Sequence, residues 1–125
     1  MIGIVEFITA RLDEDEAAVA APESWSAADE SHGVRRVDVD LSSECVAAST
    51  RSWRAEHIAR HDPARVLAEV KAKRAILARH STGTGSLREF GGWYCEVCDD
   101  GCAEVPVLAA VYADHPDYDP AWRVE

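Results

Sequence analysis

Hydrophobic positions at the start of the chain recur with a helical period. Ile4, Val5, Ile8 and Leu12 fall on one side of a helix predicted over residues 3–20, with Phe7 flanking them and Val19 extending the stripe. The acidic run Asp13-Glu14-Asp15-Glu16 lies within that helix as a solvated face. Pro22 ends it, because the residue before a proline is driven out of the α region. The period then shortens to two: Val37, Val39 and Leu41 alternate with Arg36, Asp38 and Asp40, as in a half-buried strand. Ser31-His32-Gly33 and Leu41-Ser42-Ser43-Glu44 read as turns on either side. Trp25–Glu30 and Cys45–Ala48 then become the flanking strands of an antiparallel meander. Three strands need a helix against their apolar face.

Helical spacing returns at Thr50. Trp53, His57 and Ile58 share one side of a short helix that stops before Pro63. Asp62-Pro63 is a restart signal, in which Asp caps exposed N–H groups and Pro fits the first helical turn. The next helix, residues 63–80, carries Val66, Leu67, Val70 and Leu77 on one face. Arg65, Lys71, Lys73, Arg74 and Arg79 lie mostly elsewhere, the late ones suiting its C-terminus. A Ser/Thr/Gly-rich stretch opens a flexible linker, residues 81–92, before a cysteine cluster, a short helix near Val105–Tyr112 and a proline-containing tail. The pattern predicts an α+β fold in one domain, residues 1–125: an N-terminal helix, a short antiparallel β-meander, two central helices, a zinc-knuckle-like cysteine cluster and a short C-terminal helix.

Composition fits a folded domain, at 47% hydrophobic and 29% charged. The N-terminal segment lacks a basic region ahead of its apolar residues, and no stretch approaches the roughly 18 apolar residues of a membrane span. The expectation is a cytoplasmic protein whose four cysteines are kept reduced, a setting that favours metal binding over disulfides. Charge is segregated. Residues 1–48 carry eleven acids against three arginines, residues 49–88 nine bases against three acids, and residues 89–125 nine acids against Arg123. A basic middle packed beside acidic ends would be neutralised by them, and a net charge of −10 disfavours phosphate overall.

The sharpest chemical signal is Trp93-Tyr94-Cys95-Glu96-Val97-Cys98-Asp99-Asp100-Gly101-Cys102. Two thiolates at i and i+3 on a tight turn can grip one metal ion, and a third a few residues on supplies most of a tetrahedron. Gly91, Gly92 and Gly101 give such a knuckle its backbone freedom. Soft thiolates select zinc or an iron–sulfur cluster. A redox Cys-x-x-Cys is disfavoured because no thioredoxin-like βαβ unit precedes it. For the fourth donor, His80 ranks first, at the end of the long helix, then Cys45 from the meander, then His115; Asp99 is sterically awkward. The assignment is Cys95, Cys98, Cys102 and His80 around a structural zinc ion. His57 and His61 are four apart and could share a helix face, but no Glu base lies between them and Asp62 is better used as a cap. No Walker loop, GxSxG elbow or dinucleotide fingerprint is present, so no enzyme is expected.

The segment His57-Ile58-Ala59-Arg60-His61-Asp62-Pro63-Ala64-Arg65-Val66-Leu67, with Lys71-Ala72-Lys73-Arg74 after it, resembles a set of small uncharacterised proteins of actinobacteria and their phages. Phe7-Ile8-Thr9-Ala10-Arg11-Leu12-Asp13-Glu14-Asp15 and Tyr112-Ala113-Asp114-His115-Pro116-Asp117-Tyr118, with Trp122, are similar too. The resemblance implies a domain of unknown function with a cysteine cluster before its last helix, where a Trp-Pro-Cys-Pro-Thr-like stretch is common. Asp100-Gly101-Cys102-Ala103-Glu104 departs from that stretch but keeps Cys102, and the meander matches least.

Two functions compete. The first is a metal-stabilised interaction or host-modulating protein whose acidic ends meet a partner with a basic surface. The second is a nucleic-acid-binding module using the Arg/Lys face of residues 51–79. A zinc enzyme ranks third, because four protein donors leave no open position.

Overall fold

A computed structural model of the chain describes residues 2–29, 34–42, 44–80, 95, 97–98 and 102–125. The predicted turn at Ser31-His32-Gly33, the linker over 81–92, the three knuckle glycines and Asp99 lie outside the described residues. In chain order the elements are α1 (Ile4–Ala17), β1 (Trp25–Asp29), β2 (Arg35–Val39), β3 (Cys45–Thr50), α2 (Ser52–Arg60), α3 (Pro63–His80) and α4 (Glu104–Ala110), with a 3₁₀ turn at Pro120–Trp122. This is an α+β protein with a three-stranded antiparallel sheet, a cysteine cluster and a late short helix. Residues form two compact units, Glu16–Glu69 and Met1–Asp15 with Val70–Glu125. No helix among the described residues is long and apolar enough to cross a membrane.

The unit over Glu16–Glu69 is a sheet of order β1-β2-β3 with α2 packed across all three strands. β1 and β2 pair in unbroken register from Trp25 opposite Val39 to Asp29 opposite Arg35. Between β2 and β3 the register slips twice, around Val37, which adds local twist. Val37 is fully buried, and its cross-strand neighbours Ala27 and Ala47 are small, so a helix can approach closely. Ala55 is the fully buried residue of α2. Trp53 and His57, predicted on an inward stripe, are exposed instead, and Ile58 is half-buried. Helix α2 also starts later than predicted, because Thr50 pairs with Arg35 as the last residue of β3.

Leu41 departs from the alternating stripe. It sits in the β2–β3 turn with φ of 60° and is wholly exposed. The turn is closed by the Val39 amide on the Glu44 carbonyl (3.0 Å) and the Glu44 amide on Ser42 Oγ (3.1 Å). The start of α3 is as the sequence predicts. Asp62 Oδ1 accepts the Arg65 amide at 2.9 Å, and Pro63 has no N–H to satisfy. The Ala64 amide is taken by the Glu23 carbonyl at 2.9 Å, and Asp62 Oδ2 accepts the Trp25 amide at 3.1 Å. One carboxylate therefore caps a helix and fixes the first residue of β1.

In the other unit, α1 begins with Glu6 reaching back to the Gly3 amide (3.3 Å), the reciprocal half of a capping box. Ile4, Phe7, Ile8, Arg11 and Leu12 are buried. Phe7 is a centre of the core and not a flank: Tyr112, His115, Tyr118 and Trp122 surround it with ring centroids 5.2–6.3 Å away. The Arg11 guanidinium lies 5.3 Å from the Phe7 centroid and places Nη2 2.6 Å from Glu14 Oε1. The helix stops at Ala17, five residues short of Pro22, as its apolar stripe runs out after Leu12. Val70 and Leu77 of α3 and Val105 and Ala109 of α4 complete the buried set. The acidic run is put to use here: Asp13 accepts from Arg74 (2.7 Å), Glu14 from Arg11 and Asp15 from Tyr112 (2.7 Å).

Candidate metal centre

His80 is the last residue of α3, Cys95 and Cys98 follow at Cys-x-x-Cys spacing, and Cys102 comes two residues before α4. A helix C-terminus carries partial negative charge, which suits a residue that is to face a cation. Cys95 is 3% exposed; Cys98, Cys102 and His80 are half-buried. Val105, fully buried in the first turn of α4, anchors the start of that helix in the core and so holds Cys102 at its edge.

The four donor atoms lie within 4.8 Å of one another, the single group of three or more His, Cys or acidic side chains with this spacing among the described residues. His80 Nδ1 is 3.4 Å from Cys95 Sγ, 3.4 Å from Cys98 Sγ and 3.6 Å from Cys102 Sγ. Hydrogen bonding does not account for three sulfurs around one ring nitrogen, because Nδ1 has either one proton or one lone pair in the ring plane. A shared cation does. With Zn–N of about 2.0–2.1 Å and Zn–S of about 2.3 Å, the N···S edge of a tetrahedron is about 3.6 Å.

The electrostatics agree. Burial opposes ionisation of the Cys95 thiol, but His80 and the backbone amides of Cys98 and Val97 bring it down to about 7. Cys98 is pushed up to about 12 by burial and by the adjoining Cys95 and Cys102 thiols. Burial likewise raises Cys102, against amides at Val105 and Glu104 that favour its thiolate. Three neighbouring thiolates repel one another; a divalent cation between them reverses that balance. The amide pairs aimed at Cys95 and at Cys102 are the polar support that a thiolate ligand needs around it.

The remaining sequence candidates lie elsewhere. Cys45 is exposed on β3. His115 packs on Phe7, with Arg11 Nη1 2.6 Å from its Nε2. The His57 and His61 rings lie 4.4 Å apart, tilted by 40°, and His61 Nδ1 donates to the His57 carbonyl at 2.9 Å, so the pair is bound into its own helix end. Sequence reasoning missed Glu104, whose Oε2 is 3.3 Å from Cys102 Sγ and 3.6 Å from Cys98 Sγ. Its own backbone amide, and then those two thiols, hold its carboxyl below the usual range. The Cys-x-Glu spacing at the helix start was the available signal.

One His and three Cys thus form a site that could hold a metal ion. No curated protein and no solved structure was found to match the chain. A family model does match, over residues 1–124, and the chain belongs to that family, described as a family of unknown function (DUF6221).

Proposed function

We propose that His80, Cys95, Cys98 and Cys102 bind one structural zinc ion, and that the zinc-stapled protein works as an interaction module for a partner with a basic surface. The observation that carries the metal reading is the single His80 nitrogen at 3.4–3.6 Å from three sulfurs. Zinc is favoured because it takes thiolate and imidazole donors in a tetrahedron. Four protein donors would fill that tetrahedron and leave no position for a substrate, so the reading is structural and not catalytic.

The partner reading is supported by the net charge of −10 and by Asp114, Asp117 and Glu125, which face solvent near the end of the chain. Native mass spectrometry of protein purified without chelator tests the metal: one zinc per chain is expected, and a folded, metal-free chain would overturn the assignment. An iron–sulfur absorption band would replace zinc by a cluster. Affinity capture at two salt concentrations tests the partner, with retention of a basic protein that weakens as salt rises.

A further inference from the structure

The outward side of α2 carries a feature that neither the metal nor the acidic segments explain. Ala55 is buried, Ile58 and Ala59 are half-buried, and Arg51, Trp53, Arg54, His57, Arg60 and His61 are exposed. At about 100° per residue, Trp53, Arg54, His57, Arg60 and His61 fall within an arc of about 120°. Trp53 is 63% exposed in a helix that has an apolar side available for burial. The Arg54 guanidinium sits 5.2 Å from an indole ring centroid of Trp53, and the two imidazoles lie beside them.

Charge on this face is of one sign. Arg54 and Arg60 on it, and Arg51 at the N-terminal end of the helix, pair with no acid among the described residues. The single acid of α2, Glu56, is taken by Arg35 at 2.8 Å. In α3, Arg65 pairs with Glu69 (2.8 Å) and Arg74 with Asp13 (2.7 Å), while no ion pair is seen for Lys71, Lys73 or Arg79 among the described residues. What sets α2 apart is that its unpaired arginines flank an exposed indole. At physiological salt the Debye length is about 8 Å, so a phosphate at this face responds to these arginines more than to the net charge.

We propose that this face of α2 binds single-stranded nucleic acid, with Trp53 and the Arg54 plane as stacking surfaces for bases and Arg51 and Arg60 as phosphate contacts. An exposed indole interleaved with arginines is what a single strand requires, because its bases are free to stack and every base presents a π-face. A duplex keeps its bases stacked internally and would use only the charges. An acidic protein would likewise gain little from the indole. The proposal goes beyond the interaction role above and does not depend on the metal.

The test is anisotropy of a fluorescein-labelled oligothymidylate of about 15 nucleotides titrated with the full-length, metal-loaded protein, beside the same-length duplex and polyglutamate. Expected are binding of the single strand in preference to both, and an affinity that falls with log salt at a slope of about −1.4, about 0.7 for each of the two phosphate contacts. Trp53→Ala should weaken it at least about tenfold, Trp53→Phe should restore most of the loss, and Arg51→Ala with Arg60→Ala should flatten the salt slope. Thermal melting of each variant keeps a folding defect separate from a binding one. The proposal is overturned if the single strand does not bind at about 100 µM protein, if Trp53→Ala binds like wild type, or if duplex or polyglutamate binds as tightly.

Discussion

The Tyr112 hydroxyl donates to Asp15 Oδ2 at 2.7 Å, joining the turn after α4 to the second half of α1. Burial, then the Asp15 carboxylate, raises the Tyr112 pKa above its ordinary value, and Lys73 Nζ lies 5.9 Å from the ring centroid. A raised pKa means the folded state holds the proton more tightly than the unfolded chain. The stabilisation is therefore complete below about pH 10, the unfolded value, and is lost as pH rises further. Tyr112→Phe should cost about 1 kcal/mol at neutral pH and make stability less sensitive to alkali. Denaturation curves at neutral pH and above pH ~10 check both parts.

Asp62 serves two elements, so its loss should exceed that of a simple cap. Asp62→Ala is expected to destabilise by about 2 kcal/mol, the upper end for an N-cap, because the Trp25 amide loses its acceptor as well. Asp62→Asn, which keeps an oxygen acceptor, should cost less. Metal content should be unchanged in both, which native mass spectrometry reads directly.

Metal binding should release protons. At pH 7 the Cys98 thiol, pushed up to about 12, and the raised Cys102 thiol are protonated, while Cys95 at about 7 is half ionised. Zinc uptake by three thiolates should therefore expel about two to three protons, seen by calorimetry in two buffers of different ionisation enthalpy. Acid should strip the metal, since each donor must be unprotonated to bind. Cys95→Ser or Cys98→Ser should lose it at neutral pH, while Cys45→Ser should retain it.

Leu41 holds a left-handed backbone conformation that costs a branched side chain roughly 1 kcal/mol, and its side chain gains nothing from burial. Leu41→Gly should raise stability by up to about 0.5 kcal/mol, as the strain relieved slightly exceeds the extra freedom given to the unfolded chain. Equilibrium urea denaturation gives the sign; a loss of stability would mean that the turn draws on the side chain.

How much of this was legible in the sequence depends on range. The Asp62-Pro63 restart is local, and helix α3 matches its predicted bounds because both of its ends are punctuated. Leu41 misled because alternation continues into a turn whose φ no periodicity reports. Trp53 and Phe7 misled in opposite directions. Hydrophobicity alone placed Trp53 inward, whereas the closely packed sheet under α2 admits Ala55; Phe7 looked peripheral because its partners lie more than a hundred residues away. The cysteine knuckle follows from spacing and donor chemistry, which only ranked His80 ahead of Cys45 and His115 as the fourth donor. Glu104 beside two sulfurs does not, since it depends on where α4 begins.

The ring of aromatic partners around Phe7 has a consequence for the order in which the protein is made. Phe7 leaves the ribosome early, yet Tyr112, His115, Tyr118 and Trp122 emerge only after more than a hundred further residues have been added. A pairing across that separation carries a large loop-closure cost and slows folding. Until Trp122 is out, the native cover of Phe7 is incomplete. The sheet with α2 and the Asp62 anchor uses only residues 16–69 and can close while synthesis continues. One half of the molecule can thus form during translation, and the half that bears Cys95, Cys98 and Cys102 has to wait until Trp122 is out.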